Sequence, residues 1–479
     1  MNATMRATAT DGREINLTQD VLDPLRTRLR GPLLVPADPD FETSRTVWNA
    51  MIERRPAAVA RCLGTADVIA CVQFARQHDI LLSIKGGGHN IAGLATADGA
   101  LMLDMSLMRG VWVRQNRERF EAHAHAQAGC VLGDVDRETQ VHGLAAVLGF
   151  VSQTGIAGLT LGGGFGYLTR RWGWTSDTVV GMDVVTADAK LVRASSDENP
   201  DLFWGLRGGG GNFGVVSGID YALYPVGPEI VGGVVAWPAS EAPKVLELYR
   251  TLAEQAPPEL TLVALMRPAP PAPWLPNTMH GQPIVAVLAC HSGDPEEGEA
   301  AVAPIKGFGN PIGDVLVRRP YAQMQSLLDA TQPKGRRYYW KSEYLPRIEP
   351  ALCEKAIDHA SRIRSPFSAV ILFQIGGALN QLDEAHSPVG NRDARYVLNL
   401  AGSWEQPADD EVNIRWARAA WSDMRSFSTG GTYINFLTAD EGFERTEAAL
   451  GPGLQRLGQV KAAWDPENVF RTNRNIVPG

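Results

Sequence analysis

Three clusters of glycines within the first 216 residues constrain the fold of this 479-residue chain more than any other feature. They read I-K-G-G-G-H-N (84–90), G-I-A-G-L-T-L-G-G-G-F-G (155–166) and L-R-G-G-G-G-N-F-G-V-V (206–216). Glycine lets a backbone approach a flat or charged group closely, and successive backbone N–H groups can form an anion-binding nest. Three such loops predict a large phosphate-bearing cofactor that lies between them.

The residues after each glycine cluster exclude two common nucleotide-binding folds. Gly209, Gly211 and Gly214 match G-x-G-x-x-G, but in a dinucleotide-binding fold this motif opens a helix. Here it precedes V-V-S-G-I-D-Y-A-L-Y (215–224), which alternates like a strand. Because no cluster is followed by G-K-S or G-K-T, a nucleotide-hydrolysing P-loop is excluded as well.

Local patterns before the first cluster predict a β-α-β unit. Two short apolar runs, 57–63 and 80–84, flank a segment with helical apolar spacing, and Thr65 is the predicted N-cap. Further along, E-A-H-A-H-A-Q-A (121–128) has the period of a strand, and A-D-A-K (187–190) is typical of a hairpin turn.

The pattern changes after about residue 225, where Pro-rich stretches appear and a second, α+β segment begins. The predicted strands are 230–236, 260–266, 284–290, 368–375 and 395–402. The predicted helices are 240–255, 319–329 and 410–425.

Composition and charge narrow the class of protein. The net charge of −8 argues against a nucleic acid or an anionic membrane as partner, and no apolar run approaches the ~20 residues of a membrane span. The N-terminus lacks an apolar signal core, so we expect a cytoplasmic protein. We further expect a monomer or a homodimer. Five cysteines without C-x-x-C spacing, and an isolated His123/His125 pair, lead us to expect no metal site.

The glycine motifs resemble those of a known family. I-K-G-G-G-H-N-I-A-G is similar to the pyrophosphate-binding loop of FAD-linked oxidases of the vanillyl-alcohol-oxidase (PCMH) type. The berberine-bridge-enzyme-like branch, which includes bacterial 6-hydroxynicotine oxidases, resembles the chain most. The second and third clusters, Y-I-N-F (433–436) and the C-terminal stretch 461–478 continue the resemblance in family order.

This resemblance implies an α+β fold in which a two-part FAD-binding domain is interrupted by a substrate domain with an antiparallel sheet. The expected boundaries are 1–222 for the first part, 223–430 for the substrate domain and 431–479 for the returning segment.

The resemblance also implies a covalent cofactor. In the family, the histidine at the position of His89 is bonded to the 8α-methyl carbon of FAD, and imidazole is a suitable nucleophile for that carbon. The other expected cofactor-binding residues are Lys85, Gly86, Gly87, Gly88, Asn90, Gly93, Thr154, Gly155, Gly158, Gly162, Gly163, Gly164, Gly214, Val216, Asn473 and Asn475.

One departure from the family pattern concerns a second bond to the flavin. Many relatives have a cysteine shortly before the second cluster, and Val151 occupies that position here. We therefore expect a single tether. Thr154 stands at the position that controls oxygen access in the family, and its size and polarity leave the reactivity with oxygen open.

Substrate chemistry requires a group that removes a proton while hydride leaves the carbon. A tyrosine can do this only if its pKa falls well below ~10. The catalytic candidates are Tyr433, Asn435 and Tyr396, although Tyr433 has packing over the flavin as an equal interpretation. The candidates for contact with substrate are Gln374, Asn399, Tyr338, Trp340 and Lys341, each better interpreted as pocket lining than as a catalyst.

The sequence thus predicts an oxidase that transfers hydride from an alcohol or amine carbon of a small molecule to the flavin, with O2 as acceptor and H2O2 as product. Three alternatives stay open: a dehydrogenase with another electron acceptor, a carbohydrate oxidase, and a flavin-bearing protein that sequesters a ligand without turnover.

Overall fold

The computed structural model describes residues 5–116 and 121–479. Its first half contains the three glycine clusters, set among short strands and helices. These elements are β1 (Met5–Thr8), β2 (Glu14–Leu17), α1 (Gln19–Arg28), β3 (Leu33–Leu34), α2 (Phe41–Arg45), β4 (Ala58–Arg61), α3 (Thr65–Gln77), β5 (Leu82–Lys85), β6 (Leu101–Asp104), β7 (Val111–Asn116), β8 (Glu121–Gln127), α4 (Leu132–Gln140), β9 (Leu144–Ala145), α5 (Ile156–Leu161), α6 (Thr169–Trp172), β10 (Val179–Val185), β11 (Leu191–Ser195), α7 (Pro200–Leu206), β12 (Val215–Ala222) and β13 (Tyr224–Pro225).

The second half is built on long strands with helices between them. These elements are β14 (Glu229–Pro238), α8 (Ala242–Gln255), β15 (Leu260–Pro268), β16 (Pro283–His291), α9 (Pro295–Lys306), β17 (Gly313–Asp314), β18 (Val317–Pro320), α10 (Tyr321–Gln325), β19 (Arg337–Leu345), α11 (Pro350–Ser361), β20 (Ala369–Gln374), β21 (Tyr396–Trp404), α12 (Asp410–Met424), α13 (Phe443–Leu450) and α14 (Leu454–Trp464).

Two sheets organise the first half. One has the order β3-β4-β6-β5, in which β6 lies parallel to both β4 and β5. The other is antiparallel, with the order β11-β10-β12-β8-β7. The predicted β-α-β unit and hairpin are therefore present. The N-cap of α3 is Gly64, however, and Thr65 is the first helical residue, which corrects the predicted cap.

The second half forms an antiparallel sheet with the order β17-β14-β16-β15-β20-β21-β19, to which β18 adds by pairing with β14. Helices α8, α11 and α12 cover one face of this sheet, where their apolar residues form a single core with alternate residues of the strands. The opposite face turns toward the glycine loops. Since side chains alternate along a strand, every second residue of β15, β20 and β21 reaches that second face.

All five predicted strands of the second half are confirmed, as are the helices near 240–255 and 410–425. The helix predicted over 319–329 is only partly present. A single short helix, α10, begins after Pro320 and ends before Ser326. No helix within the described residues is long and apolar enough to cross a membrane.

Candidate functional site

A continuous cavity lies between the glycine loops and the uncovered face of the large sheet. All three glycine clusters contribute to its wall, together with residues 472–474 of the C-terminal tail. The predicted cofactor-binding residues that line it are Gly86, Gly87, Gly88, His89, Asn90, Thr154, Gly155, Gly158, Gly162, Gly214, Val216 and Asn473.

The first loop comes directly after β5 and packs on the second loop. A Cβ atom on Gly87 would lie 2.5 Å from the Cα of Gly155, so neither position has room for a side chain. Gly88 has φ +67°, a conformation that glycine adopts without strain. The backbone N–H groups of residues 86–90 donate to no other described residue. This row of free donors fits the phosphates of a dinucleotide.

His89 is the fourth residue of this row. Its Nε2 atom is buried and has no hydrogen-bond partner among the described residues. Burial lowers the pKa of the imidazole from 6.5 to about 4. His89 is therefore neutral at pH 7, and a nitrogen lone pair is available for bond formation.

Trp48 holds the His89 ring and was not predicted from the sequence. The two rings stack with centroids 4.3 Å apart, and Tyr338 stacks on the other face of the indole at 3.6 Å. The Trp48 backbone N–H donates to the carbonyl of Gly88, and its indole N–H donates to the carbonyl of Gln332, both at 2.9 Å. Trp48 lies in a segment without a motif, so only the three-dimensional contact identifies it.

The third cluster and the tail form the opposite end of the cavity. Gly209, Gly210, Gly211 and Asn212 line it, although only Gly214 and Val216 of this cluster were predicted from the sequence to bind the cofactor. Asn473 donates to the Gly211 carbonyl at 3.1 Å and keeps its Oδ1 atom buried without a partner among the described residues. An orphaned acceptor of this kind fits a ligand that donates to it.

Five predicted cofactor-binding residues do not line the cavity: Lys85, Gly93, Gly163, Gly164 and Asn475. The Lys85 ammonium lies 3.4 Å from the Asp104 carboxylate and also donates to the backbone carbonyl of Ser44. Gly93 has φ +70°, and a Cβ there would meet the Ile52 side chain at 2.6 Å. Lys85 therefore supports the first loop through a buried ion pair, and the positive φ and the close contact at Gly93 require a glycine there.

Tyr433 and Asn435 lie together beside the second glycine cluster. The Tyr433 hydroxyl accepts hydrogen bonds from the Gly164 N–H at 3.1 Å and from the Asn435 amide at 2.8 Å. The Asn435 side chain also fills the space above Gly162, where a Cβ would lie 2.2 Å from its Oδ1. Burial raises the pKa of Tyr433, so the condition set for a tyrosine base is not met.

Strand alternation divides the predicted substrate residues and the catalytic candidate Tyr396 between the two faces of the sheet. Trp340 and Asn399 face the cavity, whereas Lys341, Gln374 and Tyr396 face the helices, which corrects their assignment to the site. The Gln374 amide donates to the Ala253 carbonyl at the end of α8. Tyr396 packs in the core against the helices, with its ring centroid 6.4 Å from that of Tyr249.

Two further substrate candidates are held by structural contacts. Lys341 lies 3.4 Å from Glu441 and donates to the Thr438 hydroxyl. Tyr338 stacks on Trp48 and donates its hydroxyl to the Pro333 carbonyl at 2.6 Å. Neither side chain is part of the cavity wall.

The part of the cavity under the large sheet is mostly apolar. Phe150, Phe165, Val263, Leu265, Leu288, Ile371, Phe373 and Phe436 line it. Four buried polar atoms in this part have no partner among the described residues: Trp340 Nε1, Asn399 Oδ1, Ser403 Oγ and Gln332 Oε1. No Asp or Glu of the described ranges lines the cavity. Such a site suits an apolar ligand with a few polar groups.

Val151 and Thr154 also line the cavity, close to the contact between the first two loops. All five cysteines lie outside the cavity wall, and four of them are buried.

Two family models match the chain, one in its first half and one near its C-terminus. Residues 56–195 match the FAD binding domain, and residues 432–477 match the domain described as berberine and berberine like. The fold and the cavity thus define an FAD-binding enzyme, and the loops of the first two glycine clusters lie within the matched FAD-binding region.

The chain is 30% identical to (R)-6-hydroxynicotine oxidase of Paenarthrobacter nicotinovorans over 469 residues, which cover 94% of this chain and 97% of that protein. The crystal structure of 6-hydroxy-D-nicotine oxidase from Arthrobacter nicotinovorans superposes with a TM-score of 0.81 at 28% identity, covering 94% and 98% of the two chains. Chitooligosaccharide oxidase of Gibberella zeae is 25% identical, with 94% and 93% covered.

The chain therefore belongs to the berberine-bridge-enzyme-like family of FAD-linked oxidoreductases. The predicted family, the predicted α+β fold with an FAD-binding part, and the prediction of an enzyme are confirmed.

Proposed function

We propose that this enzyme is an oxidase with a single covalent FAD, attached through His89, that oxidises a C–H bond of an apolar small molecule and passes the electrons to O2 with formation of H2O2. Bound FAD supplies a two-electron acceptor for hydride. The observation that carries the proposal is His89, which is neutral, has a buried Nε2 atom without a hydrogen-bond partner among the described residues, and lies in a loop of unused backbone donors.

The first loop favours a covalent bond between His89 and FAD because it positions both groups. The Gly86–Asn90 donors hold the phosphates, and Trp48 restricts the His89 ring to one orientation by stacking. Holding a nucleophile in its reactive geometry removes much of the entropic cost of forming a bond. Val151, being aliphatic, offers no second nucleophile, which supports a single tether.

At the substrate end, Asn399 and Trp340 are proposed to orient the reacting group. The amide of Asn399 can hydrogen-bond the substrate O–H or N–H, and the Trp340 indole donates to an oxygen. The apolar wall excludes water and strengthens these contacts. Tyr433 is proposed to hold the second glycine loop through Gly164 and Asn435, in line with its packing interpretation.

The apolar wall favours this function over carbohydrate oxidation. A sugar carries hydroxyl groups around its ring, and each one needs a partner when it is buried. The described part of this wall consists mainly of phenylalanine, leucine, isoleucine and valine side chains, which offer no such partners to an oligosaccharide. A small, largely apolar substrate fits the lining.

The function is tested with purified holoenzyme and a panel of apolar alcohols and amines, with and without an anionic group. We expect at least one compound to bleach the flavin without oxygen and to yield about one H2O2 per turnover in air. Bleaching with dye reduction but no peroxide would instead indicate the dehydrogenase. Spectral shifts without bleaching across the panel would indicate ligand sequestration and overturn the proposal.

A further inference from the structure

The substrate end of the cavity contains an unusual charge. Arg267 lies near the end of β15, on the same face as Val263 and Leu265, and its side chain forms part of the cavity wall. It is the one ionised side chain among the described residues of the apolar part of that wall.

The guanidinium group of Arg267 is only partly engaged. Nε donates to the Pro268 carbonyl and Nη2 to the Pro366 carbonyl, both at 3.1 Å. Within residues 5–116 and 121–479 it has no carboxylate partner, and Nη1 makes no hydrogen bond. Burial, with repulsion from Arg336, lowers its pKa to about 10, so it stays protonated at neutral pH.

Other arginines at the cavity or in the core show what a structural role requires. Arg474, also in the cavity wall, donates to the carbonyls of Glu441, Leu437 and Thr438. Arg170 donates to carbonyls through all three of its nitrogens. Arg267 makes only two hydrogen bonds, and its Nη1 has no protein partner among the described residues. It is half-buried in a mostly apolar wall, where a charge is stabilised by a partner. Its partner is therefore expected to come from the ligand.

We propose that the substrate carries a carboxylate that pairs with Arg267, while its apolar body lies along Leu265, Ile371 and Phe373. This inference rests on the proposed function and names its substrate class. A monoanion suits a single guanidinium with one free nitrogen. A cationic amine would be repelled there, since the described cavity wall has no Asp or Glu to offset the charge.

The test compares acids with their uncharged amides on the enzyme as purified. Benzoate, phenylacetate and 2-naphthoate are titrated beside benzamide, phenylacetamide and 2-naphthamide, with flavin absorbance and tryptophan fluorescence as readouts. We expect at least one acid to bind about tenfold or more tightly than its amide, as a charge-assisted hydrogen bond predicts. In Arg267→Gln that ratio falls to about one, while the Kd of the amide is unchanged.

A matched control separates this contact from general charge. Arg318 is a surface residue paired with Glu299 at 2.7 Å, and Arg318→Gln removes one positive charge outside the cavity wall. It should leave the acid-to-amide ratio unchanged. Arg267→Lys keeps the charge without the planar fork and should retain part of the ratio.

Three results would overturn the inference: no acid binding better than its amide, equal weakening of acid and amide in Arg267→Gln, or phenyl phosphate binding more tightly than every carboxylate. The binding ratio does not require turnover or a tethered flavin. If the flavin proves to be covalently bound but the acid-to-amide ratio is one, only the pairing of the carboxylate with Arg267 is refuted. If the acid-to-amide ratio depends on Arg267 but the flavin is not covalently bound, the pairing with Arg267 stands and the covalent bond to His89 is refuted.

Discussion

Among single residues, Tyr433 has the contacts of a structural residue and not those of a general base. Its oxygen already accepts two hydrogen bonds, and burial raises its pKa further from neutrality. A general base with a raised pKa would be protonated at the pH where the enzyme works.

We expect Tyr433→Phe to lower the rate of anaerobic flavin bleaching by less than about tenfold and to leave its pH profile unchanged. Loss of a general base typically costs about 10²–10⁴-fold. Stopped-flow bleaching between about pH 6 and 10 measures both quantities. A loss above about a hundredfold, with disappearance of a titrating limb, would restore Tyr433 as the base.

Asp136 on α4 gives a prediction about stability. Both of its carboxylate oxygens are buried and have no partner among the described residues. Burial raises the pKa of Asp136 well above its usual value. In the unfolded chain this carboxyl group loses its proton at about pH 3.9, whereas in the folded protein it stays protonated. Because unfolding then releases a proton, Asp136 lowers the stability of the fold as the pH rises above about 4.

Asp136→Asn removes that penalty. We expect the variant to be more stable than the wild type at about pH 8, by about 1 kcal/mol or more, and the difference to shrink toward about pH 4. Thermal unfolding across this pH range measures it. A difference that is constant with pH would mean that Asp136 is ionised and has a partner.

At the scale of elements, the contact between the first two glycine loops is the most restrictive feature. Gly155→Ala should abolish flavin incorporation, because its Cβ would lie 2.4 Å from the Gly87 nitrogen. Gly158→Ala is the matched control for folding, since no described protein atom lies within 4 Å of its Cβ. We expect the Gly158 variant to fold with wild-type circular dichroism. Normal flavin content in Gly155→Ala would contradict the packing described for these loops.

The glycine loops were predictable from sequence because the residues that matter are contiguous, and the required backbone conformations exclude side chains. The sequence predicted less well which residues of each long strand face the cavity. Tyr396 and Asn399 are three positions apart, as are Tyr338 and Lys341, so alternation places the members of each pair on opposite faces. If Asn399 and Trp340 face the cavity, the same alternation places Tyr396 and Lys341 on the opposite face.

At the scale of the whole molecule, the cavity depends on contacts between distant parts of the chain. Trp48 bridges His89 and Tyr338, which are separated by about half the sequence, and Asn473 reaches Gly211. Motif order could predict that the tail returns to the FAD site. It could not predict Trp48 or Arg267, because nothing in their local sequence distinguishes them from core and surface residues.

The fate of the yellow colour when the protein is precipitated in acid shows whether the flavin is bound through His89. We predict that the wild-type pellet stays yellow, and that His89→Ala releases its flavin into the supernatant. His142→Ala, an exposed histidine outside the cavity wall, should keep the colour in the pellet. A colourless wild-type pellet, or a yellow pellet from His89→Ala, would contradict a flavin bound through His89.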